Sequence, residues 1–217
     1  MKFEVDCIVF DLDGTLIDSK TDIANSVNHT LQELQINPIP HEQIFDHVGH
    51  GVIHLIEESL KISKSTNHME DALAIFRAHY YDHLMDTTIL FPQVFETVDH
   101  FFPAKQMAVA SNKPQRYVEK LLKELNVDRY FKSVYGGDRL PEKKPDPRVI
   151  FEILKETGSD PDRTIIVGDS WVDITTGKNA GIFTCGVSYG FRALQEIKDA
   201  GPDVIIDQMG ELKDLLH

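Results

Sequence analysis

Short, nearly unbroken apolar runs recur along the chain at Cys7–Phe10, Met107–Ala110, Val134–Tyr135, Thr164–Val167, Phe183–Val187 and Val204–Ile206. A strand with one wet face alternates apolar and polar residues, whereas a strand covered on both faces reads as continuous apolar sequence, so these runs predict buried strands. Most are separated by stretches with helical spacing, and helix starts are expected after Asn112, after Lys144 and after Ser170. Parallel neighbours need such crossovers. The pattern predicts an α/β fold, doubly wound around a mainly parallel sheet.

The interval from Ser19 to Phe91 breaks this rhythm, reading as helix after helix with no strand. Asp18 or Ser19 is placed to N-cap a helix carrying Ile23, Val27, Thr30, Leu31 and Leu34, which Pro38 and Pro40 end. Further helices are expected at Gln43–His47, Val52–Leu60 and Met69–Met85, the last with Ala72, Ile75, Phe76, His79 and Leu84 on helical spacing. That is too much chain for one crossover. The expected organisation is therefore an α/β core of residues 1–17 and 88–217, with residues 18–87 inserted as an α-helical cap. Hinges near Leu16–Lys20 and Thr87–Pro92 would let the cap close as a lid.

Composition narrows the partners. With 217 residues, 41% of them hydrophobic, the chain can bury a substantial core. Its 35 acidic and 22 basic residues give a net charge of −13, which disfavours a broad nucleic-acid or anionic-membrane surface. A small phosphate can still be held locally by backbone N–H groups, a lysine and a divalent cation. Cys7 and Cys185 lie inside apolar runs and read as small buried hydrophobes, with no disulfide or metal assigned. Glu4 and Asp6 stand where a signal peptide would be apolar, so a cytoplasmic protein is expected, as monomer or homodimer.

The candidate chemistry lies at the ends of the predicted strands. The first ends in Asp11-Leu12-Asp13-Gly14-Thr15, two acids on one side of an extended chain, a pairing suited to a hard divalent cation. Taken alone it is also consistent with a solvated turn. The second strand ends in Ser111-Asn112-Lys113-Pro114, an anion-binding corner at a helix start. The fourth ends in Gly168-Asp169-Ser170-Trp171-Val172-Asp173, and Lys143-Lys144-Pro145-Asp146-Pro147 puts a lysine just before a helix. Ligands of open α/β sheets bind at the carboxyl ends of the strands, so these segments are expected to converge.

In this order, Asp11-x-Asp13-Gly-Thr15, Ser111-Asn112, Lys144-Pro145 and Gly168-Asp169-Ser170-x-x-Asp173 resemble the four signature motifs of the haloacid dehalogenase superfamily. The inserted helices resemble its helical C1 caps. Asp22-Ile-Ala, Val48-Gly-His-Gly51, Ser111-Asn-Lys-Pro114 and Gly136-Gly-Asp138 are further similar to the phosphoglycolate phosphatase branch. The chain departs from that branch at Phe91-Pro92-Gln93 and at Ala110. Phosphatases of other small metabolites and pyrophosphatases share most of this pattern. A non-catalytic binding protein of the same fold is the alternative from another class, and the presence of Asp11, Asp13, Lys144 and Asp169 argues against it.

The resemblance implies a Mg2+-dependent phosphatase acting on a small phosphorylated metabolite. Asp11 would be the nucleophile, forming an aspartyl-phosphate, and Asp13 the general acid/base. Ser111, Asn112 and Lys144 would hold the phosphate. Metal ligands would be the Asp11 carboxylate, the Asp13 backbone carbonyl and Asp169, with Thr15, Ser170 and Asp173 supporting. For cap specificity, His50 and Gly51 in the Gly49-His50-Gly51 turn are the candidates. His79 and His83, and the set His47, His50 and His54, are not assigned to a metal, because no HExxH pattern accompanies them, the pair lacks a third ligand, and solvated or capping roles are commoner for helix histidines.

Overall fold

The computed structural model describes residues 2–217. Strand β1 (Cys7–Phe10) is buried along its whole length and sends alternate side chains into two cores. Ile8 and Phe10 enter the larger core, Cys7 and Val9 the smaller, as the period of two requires. A short strand β2 (Ile17–Asp18) follows. Four helices come next: α1 (Lys20–Glu33), α2 (His41–Phe45), α3 (Val52–Ile62) and α4 (Met69–His83). Then β3 (Ile89–Leu90) returns antiparallel to β2, pairing Ile17 with Leu90 and Asp18 with Ile89. After α5 (Val94–Phe101) the chain re-enters the main sheet at β4 (Gln106–Ala110).

The remaining elements alternate: α6 (Gln115–Glu124), β5 (Ser133–Tyr135), α7 (Arg148–Thr157), β6 (Thr164–Gly168), α8 (Trp171–Ala180), β7 (Phe183–Val187), α9 (Leu194–Ala200), β8 (Val204–Ile206) and α10 (Leu212–Leu215). The main sheet runs β5-β4-β1-β6-β7-β8, and every pair in it is parallel. Tyr117, Val118 and Leu121 of α6 pack into one core, and Ile150 and Ile153 of α7 into the other. The sheet is thus covered on both faces, as the continuous apolar runs predict.

Three sequence expectations need correction. The interval from Ser19 to Phe91 does contain a strand, β3. Together β2 and β3 are two residues each, too short to show a period, and form a small ribbon through which the chain leaves and rejoins the core. Ser19 precedes α1 but its side chain makes no capping bond, because its hydroxyl donates to Asp13 instead. The second helix spans His41–Phe45 rather than Gln43–His47, starting immediately after Pro40, whose fixed φ suits a helix entry.

Asp22 fixes the ribbon to α1. Its buried carboxylate accepts from the backbone N–H groups of Thr87 (3.0 Å) and Thr88 (2.8 Å) and from both threonine hydroxyls. One side chain therefore ties together the outgoing and returning connections of the helical segment.

Candidate active site

Asp11 sits one residue beyond β1, where its N–H still donates to Val167 O (2.9 Å) across the sheet. Ser111 holds the same position after β4, its N–H donating to Tyr135 O (2.9 Å). Asp169 follows β6 directly. Since these strands are adjacent and parallel, the three residues emerge side by side at one edge, as the switch-point rule expects. The turn after Asp13 runs close beneath Asp169. Gly14 has φ +88°, and a Cβ there would lie 2.2 Å from an Asp169 carboxylate oxygen, so glycine is needed on both counts.

Lys144 comes from the loop between β5 and α7 and reaches the centre of the cluster. Its ammonium donates to Asp11 Oδ1 (2.8 Å), Asp173 Oδ1 (2.6 Å) and Ala110 O (2.7 Å), which occupies its three protons. Asn112 positions it: Oδ1 accepts from Lys144 N (3.1 Å) and Nδ2 donates to Lys144 O (3.2 Å). The Gly136-Gly137 pair directly after β5 passes so near that a Cβ on Gly137 would lie 2.4 Å from Asn112 O. Burial opposes the charged form of Lys144, yet the carboxylates of Asp11 and Asp173 overcome it and hold the ammonium above its ordinary range.

Asp173 serves two partners. Oδ1 accepts from Lys144, while Oδ2 accepts from Ser170 Oγ (2.6 Å) and Ser170 N (3.2 Å), forming a reciprocal capping box at the start of α8. Asp169 is supported more sparsely, by Phe191 N–H at 2.7 Å. Burial, then the neighbouring charges of Asp11 and Asp173, push its carboxyl well above the usual carboxylate range. Burial likewise raises Asp11 to about 7, against the pull of Lys144.

This frustration fits a divalent cation. Oxygens of Asp11, Asp169 and Asp173 approach within 4.8 Å of one another, and all three residues are buried. Counting the buried side chains that line the pocket, four carboxylates (Asp11, Asp13, Asp169, Asp173) face two ammonium groups (Lys113, Lys144). The difference is two negative charges, which one divalent ion cancels, and the donors are hard oxygens. With both oxygens of Asp173 already engaged, Asp11 and Asp169 are the carboxylates left to a metal.

The Asp13 side chain faces another way. Both its oxygens accept from Lys113 Nζ at 2.9 Å, and Oδ1 also accepts from Ser19. Ser111 Oγ accepts from Lys113 N (3.2 Å), and the buried Thr15 hydroxyl has no partner among the described residues.

The helical segment supplies the opposite wall. His47, Val48, Gly49, His50 and Gly51 line the pocket together with Ile23, Leu55, Phe76 and Tyr80. Core residues hold this turn in place: Arg192 donates to Asp46 O and Val48 O, and Asn112 Nδ2 donates to Gly49 O (3.2 Å). Burial, Arg192 and the neighbouring histidines lower the His50 imidazole to about 4, leaving it neutral near neutral pH. The His79 and His83 rings stack at 4.1 Å, and His79 stacks on His29 at 3.8 Å, so these rings lie face to face.

Sequence reasoning gave no role to Lys113, Tyr80, Arg192 or Asp22. Lys113 and Asp22 stood inside motifs with no role attached. Tyr80 lies one helical turn after Phe76 on the same face of α4, a spacing that could have pointed to it. Arg192 follows β7 without a local signature.

Comparison with known proteins agrees with this geometry. The family model described as "Haloacid dehalogenase-like hydrolase" matches residues 8–187. A phosphoglycolate phosphatase of Pseudomonas fluorescens is 35% identical over 211 residues, covering 94% of this chain and 77% of its own. One from Vibrio parahaemolyticus is 34% identical over 220 residues, covering 98% and 96%. A crystal structure from Haemophilus somnus, described as a predicted phosphoglycolate phosphatase, superposes with a TM-score of 0.92 at 28% identity, covering 97% of each chain. This chain belongs to the haloacid dehalogenase-like hydrolase family, and it is a phosphatase of phosphoric monoesters.

Proposed function

We propose that the protein is a Mg2+-dependent phosphatase that cleaves a small phosphate monoester through an aspartyl-phosphate on Asp11, with phosphoglycolate as its substrate. The observation that carries the chemistry is the buried cluster in which Lys144 touches Asp11 while Asp169 stands nearly unsupported beside it. The curated relatives named phosphoglycolate phosphatase support the substrate.

Phosphoryl transfer demands alignment and charge compensation more than covalent ingenuity. Lys144 and the strand-end geometry hold Asp11 in one orientation for in-line attack on phosphorus. Ser111 and the backbone around Asn112 lie beside it to receive phosphoryl oxygens. Asp13, two residues on, gives a proton to the departing alcohol and then takes one from the water that hydrolyses the acyl phosphate. Asp11, Asp169 and the Asp13 carbonyl are the groups that would hold Mg2+, which when bound supplies positive charge for the phosphoryl oxygens.

Residues 18–87 are read as a cap that closes over this site. Asp22 and the β2–β3 ribbon act as the hinge, and the bonds from Arg192 and Asn112 keep the 46–49 turn shut. Closure excludes water and limits substrate size. Among the described residues no helix is long and apolar enough to cross a membrane. A cytoplasmic location and a monomer or homodimer fit the acidic chain with two buried free cysteines.

The test is phosphate release from a panel of small phosphate esters and pyrophosphate, with Mg2+ or with chelator. Turnover that is strongest on phosphoglycolate and needs Mg2+ supports the proposal. Preference for another ester moves the substrate, and metal-independent turnover removes the cation from the mechanism.

A further inference from the structure

Two polar groups in the pocket are left unexplained by phosphoryl transfer. Tyr80 on α4 is 1% exposed, lines the pocket, and its hydroxyl has no partner among the described residues. An unmade hydrogen bond at a buried hydroxyl costs about 1–3 kcal/mol, so its persistence points to a guest. Burial holds the phenol well above its ordinary range, keeping it a neutral donor.

Lys113 is the second. Its ammonium lies 4.8 Å from the Tyr80 ring centroid and occupies both oxygens of Asp13. With Lys113 on both oxygens and Ser19 on one of them, the Asp13 carboxylate keeps a single lone pair with which to meet a leaving group. Another anion for Lys113 to turn to would free more of it when the site works. The other lysine and arginine that line the pocket are committed: Lys144 to Asp11, Asp173 and Ala110 O, and Arg192 to carbonyls of the 46–48 turn. His50 is neutral. Beside Tyr80 the wall is apolar, formed by Ile23, Leu55 and Phe76, and suits a short carbon chain rather than a sugar.

We propose that Lys113 and the Tyr80 hydroxyl form the receptor for a second anionic group of the substrate, a carboxylate on the leaving alcohol. The substrate class is then the phosphate esters of short hydroxy acids. Recruitment of Lys113 by that carboxylate also frees Asp13, so recognition and proton transfer are linked. The inference rests on the phosphatase reading above and names the residues that select its substrate.

The test compares 2-phosphoglycolate with ethyl phosphate, which has the same carbon count and no carboxylate. In the intact protein kcat/KM should favour phosphoglycolate, and Lys113→Met should cut that preference at least about tenfold, the size of one charge-assisted hydrogen bond. Tyr80→Phe should cut it about fivefold, by the same measure for a neutral hydrogen bond. Equal losses on both esters in both variants overturn the receptor.

Binding of the two esters by calorimetry in an Asp11→Asn background, with and without Lys113→Met, reads the receptor without turnover. Tighter binding of phosphoglycolate that depends on Lys113 supports it, and equal affinities refute it. Absence of turnover by the intact protein, by contrast, counts against the phosphatase mechanism and leaves the calorimetric result to decide the receptor. The isosteric Tyr80→Phe variant, checked for an unchanged unfolding temperature, stands in should Lys113→Met fail to fold.

Discussion

Replacing Asp11 by asparagine should make the metal-free protein more stable while abolishing its activity. Burial raises the Asp11 carboxyl from an ordinary 3.8 to about 7, so at intermediate pH the folded chain holds a proton that the unfolded chain has released. The sign follows: the group costs nothing below its unfolded value, and its penalty grows as pH rises from about 4 to about 7 and is full above that. Three pK units correspond to about 4 kcal/mol. That figure already contains the pull of Lys144, and asparagine keeps an acceptor for it while adding an NH2 that must find a partner in the buried cluster, so a net gain of about 2 kcal/mol is expected. For a chain of this size that is about 4–8 °C in unfolding temperature. Thermal unfolding in chelator should show Asp11→Asn above the parent protein near pH 8, with the gap closing towards about pH 4. Added Mg2+ should raise the parent protein and leave the variant nearly unmoved. A variant that is less stable near pH 8, or a gap that ignores pH, would refute the claim that Asp11 is an electrostatically frustrated group.

Other consequences are open to simpler assays. Lys144→Met removes the cation between Asp11 and Asp173, and should cost about 3–5 kcal/mol near neutral pH, by chemical denaturation, with partial recovery on acidification as the carboxylates protonate. Its turnover should fall by at least about a thousandfold. Asp22→Asn turns NH2 towards donors from Thr87 and Thr88, and should lower stability by about 2–3 kcal/mol in the same assay. Its hydrogen exchange should quicken first at residues 86–90. Arg192→Ala releases the 46–48 turn, and should raise KM more than it lowers kcat.

Much of the fold was written locally. Runs such as Cys7–Phe10 and Thr164–Val167 are apolar throughout because both faces of those strands are covered, and the structure places them at the centre of the sheet. The acids that end these strands and the lysine at 144 could be found because strand ends converge in any parallel sheet. What depended on longer-range geometry stayed hidden. The β2–β3 ribbon is two residues per strand and has no period to detect. Ser19 looked like a helix cap because capping is the commonest role of a serine before a helix, but its hydroxyl turns to Asp13. The role of Lys113 depends on which way the turn after β4 aims its side chain, and Arg192 acts on a loop 144 residues away in sequence.

The most direct test of the account is whether Asp11 becomes phosphorylated. Mixing the protein with 2-phosphoglycolate and Mg2+, quenching in acid within one turnover and mapping the peptides by mass spectrometry should find a phosphoryl group on Asp11. It should appear and decay at rates compatible with kcat, and be absent from Asp11→Asn. Turnover by Asp11→Asn, or a phosphoryl group on another residue, would contradict the central claim.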